Sequence, residues 1–196
     1  MFHALIRGGW MMVPLAICSL VSVTIIIERF LFFRRIRQAH RAEEVLALVL
    51  KRRADEALAV ADEATLPVMR VLRAGLTHAP EPSGAMESAG IAELSLMRRG
   101  LAALDTIITL SPLLGLLGTI IGMIDSFNVM ATSGLGQPHA VTGGVAEALI
   151  CTAAGITVAV ITLMPYNYFL ARIEREAEAI EAYATRLEIA ICASKG

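Results

Sequence analysis

Glu147 is the residue of this chain whose position most needs explaining, because it opens a run, Ala148 to Ala171, that holds no charged residue. An ionised carboxylate carried to the centre of a bilayer costs roughly 2.5 kcal/mol or more on insertion scales, so it needs a function or a sheltered place. The positive end of its own helix is one such place. Charge and position alone leave both readings open. Asp125, near the end of the preceding apolar run, leans further towards an interfacial placement. Hydroxyls accompany these carboxylates: Thr119 in the run from Thr106 to Ile124, and Thr152 and Thr162 in the later one. A threonine in an apolar helix ordinarily bonds its own backbone; turned towards a shared lumen, the same hydroxyls make a wettable lining. A carboxylate with hydroxyls suits the handling of a proton or small cation. No Gly-rich phosphate loop, Ser/His/Asp set or zinc-protease motif occurs, so no enzyme is expected.

Small residues surround the hydroxyls at helical spacing. Ser111, Gly115, Gly118 and Gly122 fall on one face of a helix, and Ala148, Thr152, Gly155, Ala159 and Thr162 form a parallel stripe on another. Such faces let helices approach closely. They either pack dry against each other or line a common lumen, and for the glycines packing is the expected role. Ser111-Pro112 marks an expected bend, because proline forfeits a helix hydrogen bond.

The elements that must position these residues are membrane spans. Mean hydropathy is +0.66, with 56% hydrophobic residues against 18% charged, too apolar for a soluble domain of 196 residues. Trp10 to Ile27, Thr106 to Ile124 and Ala148 to Ala171 contain no charge, and each reaches the roughly 18 to 20 residues a bilayer core requires. Three buried helices of a soluble protein would leave no polar shell to cover them. The expected fold is an all-α integral membrane protein, a single domain over 1–196 with spans at about 10–30, 104–130 and 145–170. Near-equal Lys plus Arg (17) and Asp plus Glu (18) give no basic field for nucleic acid. Cys18, Cys151 and Cys192 form no metal or disulfide pattern and read as small inert residues, and four scattered histidines lack the spacing of a metal pair. No cofactor is expected.

Arg29, Arg34, Arg35, Arg37 and Arg41 crowd after the first span, Arg98 and Arg99 precede the second, and Arg172 and Arg175 follow the third. The segment before the first span carries only Arg7, and the connection from Ala131 to Gly144 carries no Lys, Arg, Asp or Glu. The positive-inside rule then places the N-terminus outside and the C-terminus in the cytoplasm. The first span reads as an uncleaved anchor, since no basic cluster precedes it and no cleavage site follows it. Residues 34–103 and 171–196 are expected to be cytoplasmic helical segments. In the first, Ala79-Pro80-Glu81-Pro82-Ser83-Gly84 separates two helical stretches, the second feeding span two. In the other, Ile173, Ile180 and Leu187 recur at heptad spacing beside Ala177, Ala184 and Ile191, a face available to neighbouring subunits, with acidic residues on a wet face.

Four stretches resemble the MotA/TolQ/ExbB proton channel family, in its three-span ExbB and TolQ branch. They are Glu28-Arg29, the run Ser-Pro-Leu-Leu-Gly-Leu-Leu-Gly-Thr-Ile-Ile-Gly-Met-Ile from Ser111 to Ile124, the run Glu-Ala-Leu-Ile-Cys-Thr-Ala-Ala-Gly from Glu147 to Gly155, and Tyr166-Asn167. The combined pattern is more specific than either glycine pattern alone, and the resemblance covers nearly the whole chain. It implies that Glu147, Thr152 and Thr119 correspond to the acidic and hydroxyl residues lining the family's lumen. It also implies a homo-oligomer, a pentamer, in the bacterial inner membrane. Such a ring encloses the single-span helices of an ExbD-like or TolR-like partner and works through a TonB-like or TolA-like protein. One departure is Ile161 where the family has proline, with Pro165 one turn later. Asp125 has no counterpart that carries over. A non-conducting oligomeric scaffold remains the alternative, while the absence of an internal repeat argues against a solute carrier.

Overall fold

A computed structural model describes residues 9–35, 40–62, 66–79, 81–133 and 138–195. Among the described residues seven helices follow in order: α1 (Met12–Arg35), α2 (His40–Leu50), α3 (Ala54–Asp62), α4 (Pro67–Thr77), α5 (Pro82–Arg98), α6 (Leu101–Ser133) and α7 (Pro138–Lys195). No strand occurs among the described residues. Three helices, α1, α6 and α7, carry segments long and apolar enough to cross a membrane, each with a mean hydropathy of 2.1. Their large apolar side chains are widely exposed, Leu20, Leu113, Leu149 and Met164 among them. An apolar exterior over closed helical backbones is what hydrocarbon demands, since no water is there to satisfy free peptide groups. The chain is a multi-pass, all-α membrane protein.

Two compact units divide the chain: Met1–Glu28 with Gly100–Asn167, and Arg29–Arg99 with Tyr168–Gly196. The first holds most of α1, all of α6 and the first part of α7. Two glycines ahead of its helices have backbone in the left-handed region, where a side chain is strained. Gly9 (φ +67°) precedes α1, its carbonyl accepting the Met12 N–H at 3.1 Å, and Gly100 (φ +81°) lies just before α6. Helix α6 runs through Pro112 and α7 through Pro165 without a break.

The second unit is a bundle of α2 to α5 and the last part of α7. Its core joins Val45, Leu46 and Val49 of α2, Ala57 and Ala61 of α3, Met69 and Leu72 of α4, Met86 of α5, and Ile180, Leu187 and Ile191 of α7. The heptad face of α7 is thus buried within its own chain, where sequence alone left it open to a neighbouring subunit. Arg29, only 3% exposed, donates from Nη1 to the carbonyls of Leu96 (3.0 Å) and Met97 (3.5 Å), satisfying the end of α5. Arg70 Nη1 reaches both carboxylate oxygens of the buried Glu93, at 2.8 and 3.0 Å.

Where two helical stretches were expected between the first two spans, the structure has four helices. The break after α2 is a Schellman turn: Arg53 N–H donates to Leu48 O at 3.0 Å and Arg52 N–H to Val49 O at 2.9 Å, with Arg52 at φ 60°. An arginine in that conformation carries no glycine signal. Pro67 starts α4 at a position where its missing N–H costs nothing. Gly100 separates α5 from α6, where the sequence predicts one helical stretch feeding span two.

Candidate functional site

The small faces of α6 and α7 meet each other. Built Cβ atoms locate the closest approaches: at Gly155 one would stand 2.5 Å from Ser111 O and 3.1 Å from Gly115 Cα, and at Gly115 it would stand 3.1 Å from Thr152 Cα. One would lie 3.1 Å from Ala148 Cβ at Gly122, and 3.0 Å from Cys151 Cβ at Gly118. Backbone therefore meets backbone at Gly115 and Gly155, while Gly118 and Gly122 make room for the side chains of Cys151 and Ala148. Ser111 is fully buried, Ala159 is buried beside this seam, and Ser126 donates to Gly122 O at 2.7 Å while facing Gly144.

The hydroxyls of Thr119, Thr152 and Thr162 each donate to a carbonyl. Thr152 Oγ1 crosses to Gly115 O at 3.0 Å, tying α7 to α6. Thr119 Oγ1 donates to Leu116 O at 2.6 Å, and the fully buried Thr162 to Val158 O at 2.7 Å, both within their own helices. A hydroxyl whose proton is committed this way still offers its lone pairs as acceptors. Thr119 and Thr152 retain partial exposure and so can present those lone pairs; Thr162 cannot.

Helical geometry sorts these residues onto two edges of the α6–α7 seam. At about 100° per residue, Thr152 lies roughly 40° to one side of Ala148, while Cys151 and Glu147 lie roughly 60° and 100° to the other. On α6, Thr119 and Gly118 diverge in the same way around Gly115. Gly118 faces Cys151, and a Cβ there would stand 3.4 Å from Met11 Cβ, so this edge is the one α1 covers. Thr119 and Thr152 therefore share the edge turned away from α1. Glu147 lies on the α1 side, its half-buried carboxylate set against the backbone of Gly9. The three residues that the resemblance groups together are thus divided between two edges of the seam within one chain. Asp125 is exposed near the far end of α6.

Met11, Met12 and Leu15 carry no site signal in the sequence, yet they close this place. Cys151, buried to 1%, clusters with Met11, Met12 and Leu15. Its neighbours were legible only as apolar letters, and the Gly8-Gly9 pair before the first span was the single available turn signal. No group of three or more His, Cys, Asp or Glu that could hold a metal occurs among the described residues.

Comparison with known proteins agrees with this architecture. The model of the MotA/TolQ/ExbB proton channel family matches residues 63–182. The ExbB-like 3 protein of Synechocystis sp. is 38% identical over 93% of this chain and 90% of its own length. The ExbB-like 1 protein of the same organism is 34% identical over 94% of this chain and 76% of its own length. The Tol-Pal system protein TolQ of Pseudomonas aeruginosa is 39% identical over 46% of this chain and 39% of its own length. With three apolar helices, glycine-seamed α6 and α7, a family model matched over residues 63–182 and a relative 38% identical over 93% of this chain, the chain belongs to the MotA/TolQ/ExbB proton channel family.

Proposed function

We propose that this chain is the channel-forming subunit of an inner-membrane motor that converts proton-motive force into work on the outer membrane or envelope. Its N-terminus would be periplasmic and its C-terminus cytoplasmic. Copies would assemble as a ring, a pentamer, around the single-span helices of an ExbD-like or TolR-like partner. A TonB-like or TolA-like protein would carry the work onwards. One proton crossing a 100 mV potential releases about 2.3 kcal/mol, enough for a usable mechanical step.

The observation that carries this reading is the common edge of Thr119 and Thr152, turned away from α1, with hydroxyl lone pairs free of their own donor bonds. In a ring with these edges inward, acceptors would line a hydrated path, where they stabilise hydronium and water. Glu147, on the α1 side, would exchange protons with the periplasm and tune entry to that path. Its carboxylate is the one acidic group in the membrane half of α7.

Proton uptake into vesicles holding the chain with its partner, paired with growth that depends on the complex, tests the reading. Glu147→Gln keeps shape and removes the charge, and Thr152→Val keeps shape and removes the hydroxyl; both should lower uptake. Full activity of a Glu147→Ala, Thr152→Ala double variant would refute it. A non-conducting scaffold is the second reading, favoured by the Thr152 bond to Gly115 O, which serves packing as well as it serves a lumen. It predicts that Glu147→Gln is silent while Gly118→Leu is harmful.

A further inference from the structure

The contact between Gly9 and Glu147 joins residues 138 positions apart and belongs to neither the seam nor the threonine edge. Gly9 sits at φ +67°, and a Cβ there would overlap Glu147 Oε1 and stand 3.4 Å from Cδ and 3.9 Å from Cγ. Both features disfavour a side chain at this position: left-handed backbone costs an L-residue about 1–2 kcal/mol, and the Glu147 carboxylate would have to swing aside to make room. The turn is held down from both directions. Met12 N–H bonds Gly9 O and Val13 N–H bonds Trp10 O, each at 3.1 Å, while Met11 and Met12 are buried at 7% and 9% against Cys151. Trp10 between them is 66% exposed, an aromatic placed where the helix begins, as membrane interfaces favour.

We propose that Gly9 is a positioning residue for Glu147: by having no side chain, it lets the turn ahead of the first span seat on the carboxylate and screen it from that end of the membrane. Protons then reach Glu147 only past this turn, so the seating of Gly9 sets the accessibility of the acid. The inference rests on the reading of Glu147 as a proton-exchanging group, but its structural content can be measured without conduction.

The probe is a water-soluble carbodiimide applied to the full chain in its membrane, with labelling of Glu147 read by peptide mass spectrometry relative to exposed Asp125 in the same molecules. Gly9→Ala should unseat the turn and raise relative labelling of Glu147 by about 5- to 30-fold, the change expected from a side chain forced into left-handed backbone. Met11→Ala loosens the same turn without backbone strain and should raise labelling in the same direction. Gly100→Ala imposes equal strain at φ +81° away from Glu147 and should leave the ratio unchanged. Unchanged labelling in both Gly9→Ala and Met11→Ala overturns the proposal; if Gly9→Ala fails to accumulate, Met11→Ala decides alone. Raised labelling with undiminished proton uptake in Glu147→Gln would uphold the positioning role of Gly9 and refute the conducting role of Glu147.

Discussion

Gly155→Ala measures how much the α6–α7 seam depends on backbone contact. The added methyl would stand 2.5 Å from Ser111 O, about half an ångström inside the closest approach a Cβ makes, and 3.1 and 3.2 Å from Gly115 Cα and N. All three neighbours are backbone, so no side chain can swing away and the helices must part. Overpacking of this kind costs about 1–3 kcal/mol. Separation also stretches the 3.0 Å bond from Thr152 to Gly115 O, worth about 1 kcal/mol more. Against these, alanine gains about 0.5–1 kcal/mol over glycine in a helix. The balance is a net loss of about 1–3.5 kcal/mol. Gly143→Ala is the matched control: it lies in the same helix with nothing within 4 Å of its Cβ, so it should be neutral or slightly stabilising. Reversible denaturation in mixed micelles, followed by circular dichroism, gives both values. Equal stability of the two variants would refute the claim that this seam is closed by backbone contact.

In the other unit, Leu187→Ala should cost about 2–5 kcal/mol, because Leu187 is fully buried in the core shared by α2 to α5 and α7; chemical denaturation of the same preparation checks it. Arg29→Met should lose about 1.5–3 kcal/mol, since it strips a charged donor from the carbonyls of Leu96 and Met97, and faster amide exchange at the end of α5 would show it. Burial raises the Glu176 carboxyl above its ordinary 4.5, an effect Arg172 partly offsets. The folded chain then holds this proton more tightly than the unfolded one. Stability from Glu176 is present below 4.5 and lost as pH rises through the raised value, so acidification from neutrality should stabilise the wild type more than Glu176→Gln in paired denaturation curves. The Tyr183 hydroxyl, raised by burial and then by its bond to Glu43, should ionise above its ordinary 10.0, and Glu43→Gln should lower that midpoint in an ultraviolet titration.

Short-range patterns determined much of this protein. Three uncharged runs specified three membrane helices, because a bilayer tests only length and apolarity, and steps of three and four put Ser111, Gly115, Gly118 and Gly122 on one face of α6. The motif around Glu147 and Thr152 pointed to the family for the same reason: it lies within a few consecutive turns of one helix. Even the heptad of Ile173, Ile180 and Leu187 announced a buried face.

Tertiary structure decided what each face meets. Periodicity says that a stripe will be covered but not by what, so only the fold shows Leu187 and Ile191 covered by α2 to α5. The same holds for Glu43 and Arg186, whose paired bonds of 2.7 and 2.8 Å join residues 143 positions apart. The turn at Arg52 was hidden because its left-handed backbone is held by two carbonyl bonds and not by a glycine. The division of Glu147 from Thr119 and Thr152 follows from where α1 lies against the seam. A helix fixes the angle between its own residues, but which of its sides faces another helix is settled by packing between segments far apart in the chain.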